Sequence, residues 1–331
     1  SMNTTAFSFG PLGAKGFAVL NMLQLIGWTS IMIYDAMLAL QELAPLSPMI
    51  WTIAIGALVI LWLFIGLHNT GYIQAIVSVL LLGLTLYMGA HMISQWPSEG
   101  TLLSNGNMSF IAALELSIAM PLSWLPLISD YTRESKNPVS ASLISATVYT
   151  ITSIVMYTLG LSAAIFGGGD SIITIMMNAG LGLAGLIVII FSTVTTTFMD
   201  AYSAGVSSTT IYNGASSKGI AVIVTIVGTI AAILYPMDDI TDFLYLIGSV
   251  FAPMIAILLA DYFINRQQVQ TLSAYLVRGL IWALSVGLYH YMLHSESTIG
   301  ATLPTFTMAF VVTAIVGFIS KTAHTSAEIK Q

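Results

Sequence analysis

The sequence contains no cysteine and very little charge. Of its 331 residues, 8 are Lys or Arg and 14 are Asp or Glu, so charged residues make up 7% of the chain, whereas soluble domains carry about a quarter. The absence of cysteine excludes disulfides, thiolate zinc sites and cysteine nucleophiles. The shortage of Lys and Arg, with a net charge of -6, excludes a basic nucleic-acid-binding surface.

Apolar residues dominate instead, at 57% of the chain with a mean hydropathy of +0.92. A soluble globule of this size needs more polar surface, so the solvent must be lipid. Ten apolar runs reach the roughly 20 residues that cross a bilayer, and they are continuous rather than alternating, as helices are and barrel strands are not. We therefore predict an all-α integral membrane protein with ten transmembrane helices, at 15–41, 48–67, 71–93, 107–129, 138–167, 181–207, 218–236, 240–263, 272–292 and 300–320.

The distribution of charge predicts the orientation of these spans. If residues 1–14 are cytoplasmic, all eight basic residues lie at cytoplasmic ends: Lys15, Arg133, Lys136, Lys218, Arg266, Arg278, Lys321 and Lys330. The opposite segments contain only acidic charges: Glu42, Glu99, Asp170, Asp238, Asp239, Asp242 and Glu296. This is the positive-inside pattern, so we expect both termini of the chain to be cytoplasmic.

The fourth span contains two prolines, Pro121 and Pro126, around the segment Leu122-Ser123-Trp124-Leu125. Two backbone N–H donors are missing within about 1.5 turns, which predicts a break in the helix. Broken helices near the midplane mark binding sites in transporters. A kinked helix with a purely structural role is the alternative.

The first span carries a polar stripe of Asn21, Gln24, Trp28 and Asp35 on one helix face. An indole flanked by amides suits a flat heterocycle, because the ring can stack while the amides read its edge. Alternatively, the amides bond to neighbouring helices and Asp35 lies at the membrane interface.

The sixth span carries hydroxyls and an acid in helical register. Ser192, Thr196 and Asp200 follow at i, i+4 and i+8, and Thr195 adds a hydroxyl beside Thr196. Such hard oxygen ligands suit a small alkali cation, and a buried carboxylate suits a cation or an amino-substituted ring. The hydroxyls can also bond to carbonyls of their own helix without any ligand.

Glu115, about two turns into the fourth span, is predicted to be either a proton carrier or a hydrogen-bonding structural acid. The histidines at 68, 91, 290 and 294 all lie near helix ends, where interfacial positions are typical. No His/Asp/Glu set has metal-ligand spacing, and no phosphate loop or hydrolase elbow is present. We therefore expect neither an enzyme nor a resident cofactor.

Several stretches resemble the nucleobase:cation symporter-1 family. They are Gly27-Trp28, the segment from Leu122 to Arg133 (LSWLPLISDYTR), the segment from Phe243 to Pro253 (FLYLIGSVFAP), and Asp261-Tyr262-Phe263. The resemblance spans essentially the whole chain. Within the family, the greatest similarity is to hydroxymethylpyrimidine transporters of bacterial thiamine salvage.

The resemblance implies the twelve-helix leucine-transporter-like fold, built from two inverted five-helix repeats and two extra helices. Matched by motif, the first, fourth, sixth and eighth spans correspond to the third, sixth, eighth and tenth helices of the family. Residues 1–106 are then the remainder of the first repeat, 107–263 the second repeat, and 264–331 two extra helices and a tail. We expect the first two family helices to be missing and to occupy roughly 70 residues upstream.

The resemblance also implies site residues. Trp28 and Trp124 would sandwich the heterocycle, with Ser123 offering backbone and hydroxyl contacts beside them. Thr195 and Thr196 match the hydroxyl pair that binds sodium, near the Ser192 carbonyl. The remaining expected substrate contacts are Asn21, Gln24, Met32 (where many members have Gln) and Asp200 (one of three residues, with Thr197 and Met199, that replace family asparagines).

The function that follows is secondary active transport in a bacterial inner membrane. We expect import of a pyrimidine, namely hydroxymethylpyrimidine, by sodium or proton symport with alternating access, since an acid matches an aminopyrimidine. A cytosine, purine or allantoin permease is the alternative. A polytopic enzyme lacks its catalytic cluster here, and a channel is disfavoured by the expected broken helix.

Overall fold

The computed structural model describes residues 2–65, 67–94, 109–132, 135–166, 177, 180, 182–237, 239–266, 268–295 and 298–328. After a 3₁₀ turn, Met2–Thr5, the helices are α1 (Ala6–Leu43), α2 (Pro48–Ile65), α3 (Leu67–Ser94), α4 (Phe110–Thr132), α5 (Pro138–Phe166), α6 (Gly182–Ile211), α7 (Ser217–Leu234), α8 (Thr241–Leu259), α9 (Leu272–His294) and α10 (Thr302–Glu328). Ten helical segments in this part of the chain are long and apolar enough to cross a membrane, which confirms the predicted number of spans.

Some residues that carried the predicted orientation lie outside this described part. They are Glu99, Arg133, Asp170, Asp238, Glu296 and Lys330, together with the side chain of Lys321. The side chains of the helix-end histidines His68 and His91 also lie outside the described part. Of the two remaining helix-end histidines, His294 contacts the backbone carbonyl of His290 through Nδ1 at 2.8 Å, in an exposed position at the end of α9.

The first helix begins nine residues before the predicted start, so that boundary was wrong. The helix continues across a kink, where Gly10 has φ 68° and ψ −179° and Pro11 opens the next helical stretch, a position that proline tolerates. A Cβ on residue 10 would lie only 2.7 Å from the ring of Tyr275. Glycine is therefore required here both by the positive φ of the backbone and by the close packing of this ring. The Val269 N–H donates to the Phe7 carbonyl at 3.2 Å, which docks this segment against the start of α9.

The predicted break in α4 is also wrong, because the helix is continuous from Phe110 to Thr132 through both prolines. The prolines leave the carbonyls of Ser117 and Leu122 without their usual N–H donors four residues on, and the helix nevertheless continues. The Ser123 hydroxyl donates to the Met120 carbonyl at 2.6 Å, and the Gln24 amide donates to the Ser123 carbonyl at 3.1 Å. The polar groups of Ser123 are therefore engaged within the protein.

Helix α1 is the centre of the fold and packs against α2, α6, α7, α8 and α9. One buried cluster joins it to α8 through residues such as Trp28 and Phe251, and a second joins it to α6 and α7 through Leu25 and Phe198. Helix α5 lies on the outside, and its membrane-crossing stretch has no buried residue. The membrane-crossing surface of α5 is therefore left largely uncovered by the described residues.

A buried ion pair ties α8 to α9. Helix α8 ends in a π-helical turn, Ala260–Asn265, where the Asp261 carboxylate accepts from Arg278 Nη2 at 3.0 Å and Nε at 3.2 Å. Asn265 donates to the same carboxylate at 2.8 Å and to a carbonyl of α10 at 3.2 Å. The pairing of these two residues, which lie 17 positions apart, is not evident from the sequence. Mutual neutralisation is what permits two charges to be buried here.

Candidate functional site

A small cavity lies where α1, α4 and α6 meet, and we refer to it as the midmembrane cavity. Its volume is about 50 Å³, and its walls are Trp28, Met32, Met120, Ser123, Trp124, Leu127, Thr196 and Asp200. Six of these eight residues are site residues predicted from the sequence. Typical ligand pockets measure about 300–1,000 Å³, so helices or side chains must move apart before a ring can enter.

Two indoles reach this cavity from different helices, and each rests on a second aromatic ring. Trp28 of α1 meets Phe243 edge to face, with centroids 5.4 Å apart and planes at 73°. Trp124 of α4 lies 6.4 Å from Tyr131 in a tilted arrangement. A Cβ on Gly27 would lie 2.6 Å from the Phe243 ring, so the glycine of the Gly27-Trp28 motif gives this ring room to support the indole.

The two amides of the α1 stripe are buried beside the cavity but do not line it. Asn21 donates to the Ser207 hydroxyl at 2.8 Å, and Gln24 donates to the Asn21 carbonyl oxygen at 2.7 Å. Gln24 also donates to the Ser123 carbonyl of α4 at 3.1 Å, so both amides bond to neighbouring helices, which was the alternative interpretation. Within the described part of the chain, Gln24 Oε1 has no hydrogen-bond partner. Asp35 is exposed, away from the cavity.

Asp200 supplies the carboxylate of the cavity wall. It is 5% exposed and lies one turn after Thr196 on α6, and the other wall residues are uncharged. No described residue donates a hydrogen bond to it. The nearby Tyr131 hydroxyl is instead bonded to the Met199 carbonyl and the Ser203 hydroxyl, both at 2.8 Å. The carboxylate therefore retains its capacity to accept hydrogen bonds from a ligand.

The three predicted cation ligands of α6 divide between two directions. The Thr195 hydroxyl donates to the Ser192 carbonyl at 3.0 Å, whereas Thr196 faces the midmembrane cavity. Successive helical residues differ by about 100° around the axis, which separates the two hydroxyls. Their role in binding sodium stays a prediction. The described residues contain no group of three or more His, Cys, Asp or Glu that could hold a metal.

Glu115 lies outside the cavity wall and caps α10. Its carboxylate accepts the backbone N–H groups of Ala301 at 3.0 Å and Thr302 at 2.9 Å, and also the Thr302 hydroxyl. A carboxylate at a helix N-terminus satisfies orphan donors and interacts favourably with the helix dipole. This geometry favours the structural alternative, and a role in proton transfer stays a prediction.

Sequence reasoning missed four residues that shape the cavity. Met120 and Leu127 line it, and they precede and follow Trp124 by four and three residues, so helical periodicity could have placed them on the same face. Phe243 and Tyr131, which contact the indoles, lie within quoted motif segments but received no role. The missing signal was the tertiary contact between helices.

Comparison with known proteins agrees with this architecture. A family model described as permease for cytosine/purines, uracil, thiamine, allantoin matches residues 4–328. Cytosine permeases of Escherichia coli K12 and of strain O157:H7 are 25% identical over 191 residues, which is 56% of this chain. The chain matches 45% of the length of these relatives.

A solved structure shares the fold at 17% identity. It is MHP1, a nucleobase-cation-symport-1 family transporter in a closed conformation with bromovinylhydantoin bound, and it superposes with a TM-score of 0.76 over 97% of this chain and 79% of its own. The all-α leucine-transporter-like fold is thereby confirmed, and the family's permeases agree with the expectation that the chain is not an enzyme. Because the family model covers nearly the whole sequence, the chain belongs to the nucleobase:cation symporter-1 family of multi-pass membrane permeases.

Proposed function

We propose that the protein is a secondary active transporter that imports a pyrimidine, namely hydroxymethylpyrimidine, by symport with sodium or a proton across a bacterial inner membrane. The observation that carries this proposal is the midmembrane cavity, which combines two indoles with one carboxylate free of described donors. A planar ring would stack between Trp28 and Trp124, and its amine would donate to Asp200.

The chemistry of the carboxylate supports an aminopyrimidine. An exocyclic amine donates hydrogen bonds, and an ionised carboxylate only accepts them. Such charge-assisted hydrogen bonds are stronger than those between neutral groups. They would replace the hydrogen bonds to water that the carboxylate loses when it is buried. A ring with carbonyl groups in the same place would face Asp200 with a second acceptor and would bind less well.

The small volume of the cavity supports alternating access. A ring cannot enter about 50 Å³, so transport requires an open state, and a cation that binds this open state better shifts the population toward it. Rocking of one helix bundle against the other would then release both solutes on the inner side, as in other inverted-repeat transporters.

A cytosine permease is the second candidate, and the 25% identity to bacterial cytosine permeases favours it. Cytosine also carries an exocyclic amine, so Asp200 would accept from either ring. The two candidates differ in the substituents that Met32 and Met120 would contact, because hydroxymethylpyrimidine is the bulkier ligand.

Uptake by the full-length protein tests the proposal. Labelled hydroxymethylpyrimidine should enter proteoliposomes down a sodium or proton gradient, with cytosine competing and allantoin competing weakly. Replacing sodium by choline distinguishes the two cations. If labelled cytosine is taken up and excess hydroxymethylpyrimidine does not inhibit this uptake, the protein is a cytosine permease, the second candidate.

The cation site needs its own variant, since Thr196 lines the ring cavity and Thr195 does not. Thr195→Ala should raise the sodium concentration for half-maximal uptake and leave the substrate affinity at saturating sodium unchanged. Thr209→Ala is the matched control, because that hydroxyl makes the same kind of bond to its own helix, at 2.7 Å. Equal sodium dependence in both variants would remove Thr195 from the cation site.

A further inference from the structure

A second cavity, larger than the first and lined by more polar side chains, lies at the N-terminal end of α9, and we call it the headgroup cavity. Its volume is about 810 Å³, and it shares no wall residue with the midmembrane cavity. Amide and hydroxyl side chains from the segment before α9 and from the end of α10 line it, among them Gln268, Gln270, Thr271, Ser273 and Ser320. None of the described wall residues carries a carboxylate, so this part of the wall offers hydrogen-bond donors without a repelling charge.

Arg278 forms the inner end of this cavity. The side chain is 5% exposed, and its pairing with Asp261 uses Nε and Nη2. Nη1 donates to no described residue, so its N–H groups remain able to donate hydrogen bonds to a ligand in the cavity. Asp261 is itself fully buried and does not line the cavity. An anion there would meet the arginine without touching the acid.

The start of α9 adds to the same polarity. Thr271 caps the helix by accepting the Ala274 N–H at 3.3 Å, and Thr271, Ser273 and Ala274 all belong to the cavity wall. A helix N-terminus carries a partial positive charge and spare N–H groups, which favour an anion. Together with the buried arginine, these features fit a phosphate group.

An apolar groove next to the headgroup cavity indicates where the rest of the ligand lies. The groove runs between α1 and α9, has a volume of about 1200 Å³, and shares Gln270 with the headgroup cavity. Leu272, Leu276 and Leu280 line its α9 side and are 68%, 65% and 60% exposed. A polar cavity that meets an apolar groove at the end of a membrane helix matches a phosphate with an attached acyl chain.

We propose that the headgroup cavity and the adjoining groove bind one anionic phospholipid, with its phosphate at Arg278 and the N-terminus of α9 and an acyl chain along the leucines of α9. This site is separate from the midmembrane cavity, because no described residue lines both. The committed ligand class is a phosphodiester lipid rather than free phosphate, because free phosphate would leave the groove unfilled.

Lipid binding to the full-length protein provides the test. The protein is delipidated in detergent and titrated with phosphatidylglycerol or phosphatidylcholine, and bound lipid is counted by native mass spectrometry. We expect one phosphatidylglycerol to bind more tightly than phosphatidylcholine, and millimolar inorganic phosphate not to displace it. Equal binding of the two lipids overturns the proposal, and displacement by phosphate overturns the assignment to a lipid.

Ser320→Asp places a negative charge in the cavity wall without disturbing the ion pair of Arg278. Ser295→Asp is the matched control at the other end of α9, since both serines are exposed and bond to carbonyls of their own helices, at 2.9 and 3.1 Å. Only Ser320→Asp should weaken phosphatidylglycerol binding, by about fivefold, which corresponds to about 1 kcal/mol per charge near an anionic lipid. Equal affinities in the two variants would show that the lipid does not occupy this cavity.

Discussion

At the scale of single residues, Asp200 is the most informative side chain of the molecule. An ionisable group inside the membrane is expensive and is retained where it has a function or a partner. Asp200 is buried in the wall of the midmembrane cavity with no hydrogen-bond donor among the described residues. We expect the two indoles beside it to contribute differently to binding, since stacking accepts any flat ring whereas a carboxylate accepts only hydrogen-bond donors.

Two substitutions separate these contributions. Trp124→Ala should weaken all planar ligands in similar proportion, by about 1–3 kcal/mol as for base–aromatic stacking. Asp200→Asn should weaken aminopyrimidines by about 1.5–3 kcal/mol and spare analogues that have a carbonyl in place of the amine. A competition series on each variant of the full-length protein measures both effects.

Trp51→Ala is the control for the indole, because Trp51 lies at the α1–α2 connection and donates to the Ala44 carbonyl at 3.0 Å, away from the cavity. It should leave the competition series unchanged. If Asp200→Asn reduces the affinity of every ligand equally, the carboxylate serves ion coupling or structure and does not contact the substrate.

At the scale of helices, the end of one element is stabilised by a side chain from another. Glu115 of α4 caps α10 across 187 residues of sequence, and a Cβ on Gly300 would collide with its carboxylate. Gly300 has φ 75°, a left-handed conformation that glycine adopts without strain. The turn before α10 is therefore shaped to receive the acid.

Glu115→Gln tests whether this acid is a cap or a proton carrier. Loss of the charge at the helix N-terminus should lower the stability by about 1–2 kcal/mol and reduce the melting temperature in detergent. The pH profile of uptake should stay the same. Glu42→Gln, at an exposed carboxylate, should change neither. An unchanged melting temperature together with a lost pH dependence would instead identify Glu115 as the proton carrier.

At the scale of the whole molecule, the unresolved prediction is the orientation in the membrane. Ten membrane-crossing helices would place successive connections on alternating sides, and the basic residues would then all lie on one side. The division into a first-repeat remainder (1–106), a second repeat (107–263) and two extra helices (264–331) likewise stays a prediction.

Single cysteines can determine the orientation, since this sequence has none of its own. In a cysteine-free full-length protein, Asn213→Cys lies between α6 and α7 and should react with a membrane-impermeant maleimide only after permeabilisation. Ser295→Cys, after α9, should react in intact cells. Both positions are exposed. Labelling from the same side would contradict the alternation, and the reverse pattern would invert the predicted orientation.

Composition and helical periodicity were sufficient for the coarse features of this protein. Scarce charge and continuous apolar runs establish a lipid-embedded helical protein and its ten spans, because length and hydropathy are local properties. The aspartate of the site could also be identified from the sequence, since an acid is unusual within an apolar membrane helix. The continuity of α4 could not be predicted in this way. A proline indicates that one backbone N–H donor is lost, but the packing of the helix decides whether it stays continuous.

Only the tertiary structure decided which of these polar groups face a ligand. Asn21, Gln24 and Glu115 look alike in sequence to Asp200 and Thr196, as polar residues in apolar helices. The structure engages the first three with partners up to 187 residues away and leaves the last two in a cavity wall. Periodicity assigns a residue to a face of its own helix, and the helix that meets this face depends on packing among distant segments of the chain.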